Sequence, residues 1–128
     1  AHWLEMGARL GSKAPKIFNV NWFRTDSEGN FLWPGYGENM RVLDWIIKRV
    51  EGTVDAVETP IGFLPKPEDI NLDGSGVTVE TLKALLTLDA ESWRENCAGI
   101  REYFAQFGDK LPHELREELE ALEKAFAE

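Results

Sequence analysis

The sequence has few cysteines, few histidines and a shortage of positive charge, and each shortage excludes a class of protein. A single cysteine, Cys97, excludes a disulfide within the chain and suits a reducing compartment, so we expect a cytoplasmic protein. Lys and Arg number 14 against 23 Asp and Glu, and the net charge of -9 argues against nucleic acid or an anionic membrane as partner. No apolar run is long enough to span a membrane.

Catalytic and metal-binding patterns are equally scarce. His2 and His113 lie far apart in sequence and Cys97 falls on an apolar stripe, so we predict no zinc site. No G-x-x-x-x-G-K-[ST] phosphate loop is present, and no Ser–His–Asp set can be argued. We therefore assign no catalytic residue and no metal ligand to this chain.

The apolar pattern predicts an α+β fold that is mostly helical. Alternating apolar residues over 16–23 and a polar turn at Gly29 predict an N-terminal β-hairpin over Lys16–Trp33. Before Gly52, apolar residues recur at helical spacing and predict one buried stripe, formed by Leu43, Ile46, Ile47 and Val50.

We expect residues 1–128 to form one portion of a single domain, in which three regions follow one another. The hairpin and an aromatic cluster occupy residues 16–52. Residues 53–77 are rich in proline and are predicted to be irregular, whereas residues 78–128 are predicted to form a C-terminal set of amphipathic helices.

The most unusual stretch is Asn21–Arg41, where aromatic residues stand among turn-forming glycines and a proline: Trp22, Phe23, Phe31, Trp33 and Tyr36. Aromatic rings beside turns suit a flat, π-rich ligand such as a purine base, but a hairpin that buries its aromatic residues in the core fits the pattern equally well. Because the chain is acidic and no lysine lies beside Gly35-Tyr36-Gly37, the stretch suits the base of a nucleotide better than its phosphates.

A second candidate site is the loop Asp69–Glu80. It fits the calcium-loop pattern D-x-[DN]-x-[DN]-G-x5-E through Asp69, Asn71, Asp73, Gly74 and Glu80. The prolines before it exclude the entering helix of an EF-hand, and Gly76 and Val77 depart from the usual loop composition. The alternatives are a calcium-binding interaction module and an Asx-turn loop that caps the next helix, of which the second is favoured.

A resemblance to a known family rests on the stretch KIFNVNWFRTDSEGNFLWPGYGENMRVLDWI, which is similar to the guanine-binding region of the GTP-dependent phosphoenolpyruvate carboxykinases. The stretches HWLEMG, ETPIGFLPKPEDINLDG and LPHELREELEAL resemble other parts of the same C-terminal region. The resemblance covers nearly the whole chain. It implies a C-terminal fragment that is part of the nucleotide-binding C-terminal domain of a larger α/β enzyme.

The resemblance also implies a guanine site, carried by Phe23, Phe31, Tyr36, Gly37, Glu38 and Asn39. Guanine would stack between Phe23 and Tyr36, with Phe31 completing the wall. The amide of Asn39 has both a donor and an acceptor with which to read the edge of the base.

Other positions near this site are expected to be structural or depart from the family. Trp22 and Trp33 are expected to back the ligand wall from behind. Tyr36 stands where the family usually has Phe, and Asn19 stands where it often has His.

The reaction implied by the resemblance converts oxaloacetate and GTP to phosphoenolpyruvate, carbon dioxide and GDP in gluconeogenesis. The family uses a catalytic Mn²⁺ and a second, nucleotide-bound Mg²⁺ or Mn²⁺. Its metal ligands, phosphate loop, reactive cysteine and substrate arginines would lie upstream of Ala1. We therefore expect this chain alone to be inactive, to bind GTP weakly at best and to hold neither metal, and we expect the full-length enzyme to be monomeric.

Overall fold

The computed structural model describes residues 2–127, whose contacts divide into two compact units. One unit is Pro15–Thr87, and the other combines residues 2–14 with residues 88–127. The elements in chain order are α1 (His2–Leu10), α2 (Asn39–Glu51), β1 (Val57–Thr59), β2 (Gly62–Leu64), α3 (Val79–Leu86), α4 (Ala90–Ala105) and α5 (His113–Ala125). The mostly helical α+β class is thus confirmed. None of the helices in the described part is long and apolar enough to cross a membrane.

The antiparallel strand pair lies in the region that the sequence predicts to be irregular. Strand β1 pairs with β2, with Thr59 opposite Gly62, so Pro60 and Ile61 form the turn between them. The fixed φ of proline suits the second position of a β-turn, and the Thr59 hydroxyl donates to the Gly62 carbonyl at 2.6 Å across this turn. The prediction that residues 53–77 are irregular is wrong over the strand pair, because a proline can start the tight turn between two strands as well as continue an extended chain.

The hairpin predicted over Lys16–Trp33 is wrong in its pairing but right in its alternation. Phe18 and Trp22 are half-buried, and Phe23 is exposed, as an extended chain requires. No strand is assigned over residues 16–33, and a single antiparallel bridge joins Thr25 to Phe31. The alternation arises because this segment packs along α2, where the ring of Phe18 meets Trp45 edge-on at 6.2 Å between centroids.

Helix α2 ends just before Gly52, as the sequence predicts, but it buries another face. Trp45 is 3% exposed and belongs to the core, and Ile46 packs against that core. Leu43, Ile47 and Val50, which the sequence places in a buried stripe, are 40%, 55% and 54% exposed. Trp45 turns inward because it packs with Trp33, Ile70 and Leu82, which come from other segments of the same unit.

The core of the Pro15–Thr87 unit is made of large apolar side chains contributed by different segments: Trp33, Trp45, Ile70 and Leu82. Trp33 precedes α2, Trp45 lies within it, Ile70 follows the strand pair and Leu82 lies on α3. These four segments are therefore held together by one small apolar cluster.

In the other unit α4 packs against α5, as predicted for amphipathic helices. Asp89 caps α4 by accepting from the Ser92 N–H at 2.7 Å. The rings of Trp93 and Phe126 stack at 5.6 Å with an interplanar angle of 6°. Cys97 is buried, and burial raises the pKa of its thiol, which suits a packing role.

Ile46 and Ile47 provide a matched pair for testing the face that α2 buries. Ile46→Ala should lower the free energy of unfolding by about 2 kcal/mol because it removes partly buried methylenes from the core. Ile47→Ala should change it by less than about 0.5 kcal/mol because that side chain is exposed. Urea unfolding of both variants measures the difference, and a larger loss for Ile47→Ala would show that α2 buries the face that carries Ile47.

Candidate functional site

The aromatic stretch forms a cavity of about 360 Å³ in the Pro15–Thr87 unit. Its lining residues are Trp22, Phe23, Phe31, Trp33, Pro34, Gly35, Tyr36 and Asn39. Among the predicted site residues, Phe23, Phe31, Tyr36 and Asn39 line the cavity, and Gly37 and Glu38 do not. Trp22 and Trp33, which are expected from the sequence to be structural backing, also line the cavity, and so do Pro34 and Gly35, for which the sequence predicts no site role. All four residues lie within the aromatic stretch Asn21–Arg41, and this position is the feature of the sequence that could have indicated them.

The five rings that line this cavity differ in exposure, and Trp22 is intermediate between the buried and the exposed ones. Phe23, Phe31 and Tyr36 are 72%, 64% and 94% exposed, whereas Trp33 is 5% exposed. Phe23 and Phe31 meet edge to face at 6.1 Å between centroids and 62° between planes. Of the two alternatives left open by the pattern, core burial thus describes Trp33, and an open ring wall describes the three exposed rings. Exposed aromatic rings grouped around a cavity are typical of a binding surface.

A tight turn places Phe31 close to Phe23. The Asp26 carboxylate accepts from the backbone N–H groups of Glu28 and Asn30, each at 2.9 Å, and Asp26 donates its own N–H to the Asn30 carbonyl at 2.9 Å. These bonds reverse the chain so that Phe31 bridges back to Thr25. The bond from the Asn30 N–H is the main reason that the pKa of the Asp26 carboxyl lies below its ordinary value.

Gly35 redirects the chain from the buried Trp33 toward the exposed Tyr36. Its φ of 102° and ψ of −148° lie in a region that is essentially reserved for glycine. A Cβ at this position would meet no atom within 4 Å, so the requirement for glycine comes from the backbone alone. The turn Tyr36–Glu38 then leads into α2 and sets Asn39 at the start of that helix.

Asn39 faces the cavity with its amide held by a tryptophan. The indole N–H of Trp33 donates to Asn39 Oδ1 at 2.9 Å. No charged side chain lines the cavity, and its walls are aromatic apart from this amide, a proline and a glycine. A neutral aromatic cavity with one amide suits the base of a nucleotide and offers nothing to neutralise phosphates.

Glu38 makes a structural contact rather than lining the cavity. Its carboxylate pairs with the guanidinium of Arg41 on the next turn. Arg41 also donates to the carbonyl oxygens of Asn71 and Asp73, each at 2.7 Å, and so ties the 71–73 loop to α2. Both side chains of the ion pair are mostly buried, so the pair contributes to the geometry of the helix start.

The candidate calcium loop has the features of a structural loop. Asn71 Oδ1 accepts from the Asp73 N–H at 2.9 Å, which is an Asx-turn, and Thr78 caps α3 by accepting from the Thr81 N–H. The guanidinium of Arg41 supplies positive charge to carbonyl oxygens of this loop. Within residues 2–127 no group of three or more His, Cys, Asp or Glu side chains is placed to hold a metal ion. The Asx-turn and the Thr78 cap are the features expected of a loop that caps the next helix.

A second depression, of about 430 Å³, lies in the other unit along α4. It is lined by Glu95, Asn96, Gly99, Ile100 and Tyr103. It has one ring and one carboxylate, and it shares no residue with the aromatic cavity, so it does not match the chemistry of a base site.

The chain is similar to known carboxykinases over nearly all of its length. The family model described as "Phosphoenolpyruvate carboxykinase C-terminal P-loop domain" matches residues 1–125. Proteins named phosphoenolpyruvate carboxykinase [GTP] are similar: that of Treponema pallidum (strain Nichols) is 48% identical over 125 residues, which is 96% of this chain and 20% of that protein. Those of Renibacterium salmoninarum and Chlamydia caviae are 48% and 42% identical over 124 residues, again 96% of this chain, and 20% and 21% of their own lengths. The chain thus spans about a fifth of the length of these relatives.

The Asp26 turn predicts a pH dependence of the local structure. Because the folded pKa of Asp26 is lowered, its stabilising effect on the turn is complete above the ordinary Asp pKa of about 3.9 and is lost as the pH falls through the lower folded value. The amide resonances of Glu28 and Asn30 should therefore shift together with a midpoint below about 3.9 in an NMR titration. The Asp26→Ala variant should show no such transition, and a midpoint at or above the ordinary value in the unaltered chain would contradict the assignment.

Proposed function

Because the chain belongs to the family of GTP-dependent phosphoenolpyruvate carboxykinases, we propose that it supplies the guanine-recognition part of such an enzyme. The proposed guanine site consists of Phe23, Phe31, Tyr36, Gly37, Glu38 and Asn39. Gly37 and Glu38 act in this proposal by holding Tyr36 and Asn39 at the cavity, since neither lines it.

The observation that carries the proposal is the open ring wall beside a single oriented amide. Stacking on exposed rings tolerates any base, so the rings supply affinity, and Asn39 and backbone groups supply the choice of purine. The wall includes Phe23 and Tyr36, which are both too exposed to serve as core. The hydroxyl of Tyr36, absent from the Phe that is usual in the family, then lies at the open mouth of the cavity.

The intact enzyme would convert oxaloacetate and GTP to phosphoenolpyruvate, CO₂ and GDP, a step of gluconeogenesis, in the cytoplasm and as a monomer. Phosphoryl transfer needs positive charge to neutralise the phosphates. In the proposal a catalytic Mn²⁺ and a nucleotide-bound Mg²⁺ or Mn²⁺ supply that charge. The walls of the aromatic cavity do not fit either ion, because they carry no carboxylate or imidazole. In this proposal both ions, and the bound oxaloacetate and phosphoenolpyruvate, lie in the part of the enzyme outside this chain.

We propose that residues 1–128 form one portion of the nucleotide-binding C-terminal domain. Helix α2 supports this because it is apolar on two faces, and a helix of that kind is normally buried on both. One face reaches the core through Trp45, and the other carries Met40, Leu43, Ile47 and Val50 in the open. About four fifths of the relatives' length lies outside this chain, and that part of the enzyme is the proposed cover for the second face.

The isolated chain should not turn over oxaloacetate. It has no phosphate loop in its sequence, and its cavity offers no cation to a triphosphate. A coupled assay for phosphoenolpyruvate formation, with GTP and Mn²⁺ present, should show the rate of the enzyme-free control. Measurable turnover by the purified chain would require catalytic groups within residues 1–128. It would contradict the proposal that the catalytic groups lie outside this chain.

In the intact enzyme, Phe23→Ala should raise the KM for GTP and leave the KM for oxaloacetate unchanged. Loss of one stacking ring costs about 1–3 kcal/mol of binding, so a rise of roughly tenfold is expected. Tyr103→Ala is the matched control, because Tyr103 is an exposed ring of α4 that lies in the other unit. Equal KM values for GTP in both variants would place the base elsewhere.

A further inference from the structure

The hydrogen bond between Trp33 and Asn39 determines which end of the Asn39 amide is available to a ligand in the cavity. An indole N–H is a donor only, so the Asn39 atom that meets it at 2.9 Å must be the carbonyl oxygen. The amide nitrogen of Asn39 has no hydrogen-bond partner among the described residues, although the residue lines the cavity. The carbonyl oxygen of Asn39 is therefore already engaged by Trp33, and its amide N–H groups are the ones left free for a ligand in the cavity.

We propose that Trp33 is a positioning residue that makes the site selective for 6-oxopurines over 6-aminopurines. The inference rests on the proposed function of the cavity as a base site. A fixed NH₂ group complements the carbonyl oxygen at the 6-position of guanine or hypoxanthine. The 6-amino group of adenine is itself a donor, and it would face a donor here.

The orientation holds because both partners are fixed by their surroundings. Trp33 is 5% exposed and belongs to the cluster that includes Trp45, so its indole cannot turn to another acceptor without leaving the core. Asn39 is the first residue of α2, and its backbone is fixed by the helix. Turning the amide over would leave the buried indole N–H without a partner. Without the indole N–H, the amide would be free to present either end to the base.

The test compares the dissociation constants of GDP, IDP and ADP for the intact enzyme by titration calorimetry. In Trp33→Phe a ring still fills the core but the N–H is gone. The preference for GDP over ADP should fall at least tenfold, and the preference for IDP over ADP should fall with it. If Trp33 acted only through packing, its loss would weaken GDP and ADP by the same factor, and that result would overturn the inference.

Trp22→Phe is the matched control. Trp22 lines the same cavity and lies 6.5 Å from Trp33 between ring centroids, but its indole N–H has no hydrogen-bond partner among the described residues. Its replacement should leave the GDP-to-ADP preference within twofold of the unaltered enzyme. In an Asn39→Ala background, Trp33→Phe should cause no further change in preference, because its effect passes through the amide.

Asn39→Asp tests the same arrangement without disturbing the core. One carboxylate oxygen still accepts from Trp33 and the other offers the base an acceptor, so ADP should bind better than it does to Asn39→Ala. ADP binding that is no tighter than in Asn39→Ala would overturn the inference. If the unaltered enzyme does not distinguish GDP from ADP, the proposed function fails as well. If the unaltered enzyme prefers GDP to ADP and Trp33→Phe keeps that preference, the role of Trp33 is overturned and the proposed function still stands.

Discussion

The aromatic segment depends on the burial of Trp33 with its indole N–H bonded to Asn39. The ring is held in the core of its unit, and its one polar atom has a partner at 2.9 Å. A buried indole without that bond would carry a desolvation cost of about 1–3 kcal/mol. The burial also fixes the residues on either side, because Phe31 precedes the anchor, Tyr36 follows it, and both are held at the surface. The buried ring of Trp33 thus supports the exposed rings of Phe31 and Tyr36 on either side of it.

Helix α2 connects this anchor to the rest of the unit. Its first residue, Asn39, accepts the indole bond, and its middle residue, Trp45, fills the same core cluster as Trp33. Between them, Arg41 ties the 71–73 loop to the helix through the carbonyl oxygens of Asn71 and Asp73. A guanidinium in this position gives the acidic loop a structural partner. The loop that matches a calcium pattern in sequence is therefore arranged around the helix start that presents Asn39.

The helix ends could be predicted from sequence because capping is local chemistry. Gly52 has the left-handed φ of 75° that ends α2, and Asp89 caps α4 by accepting from Ser92. The buried face of α2 could not be predicted in the same way, since Trp45 competes with an aliphatic stripe and the outcome depends on which segments meet it. The alternation of Phe18, Val20 and Trp22 similarly shows an extended chain on an apolar surface without revealing whether a strand pairs with it. The aromatic cluster was found from composition and the family resemblance, but the double role of Trp33, as core and as partner of Asn39, needed coordinates.

The central claim is that the cavity beside Trp33 holds a guanine base, and a crystal structure of the intact enzyme with GDP tests it most directly. The account predicts the base against the rings of Phe23, Phe31 and Tyr36, with the amide nitrogen of Asn39 within about 3 Å of the 6-oxygen and the Trp33 bond retained. A base bound away from these rings would contradict the claim. So would a base in the cavity that meets the carbonyl oxygen of Asn39, with the indole bond broken.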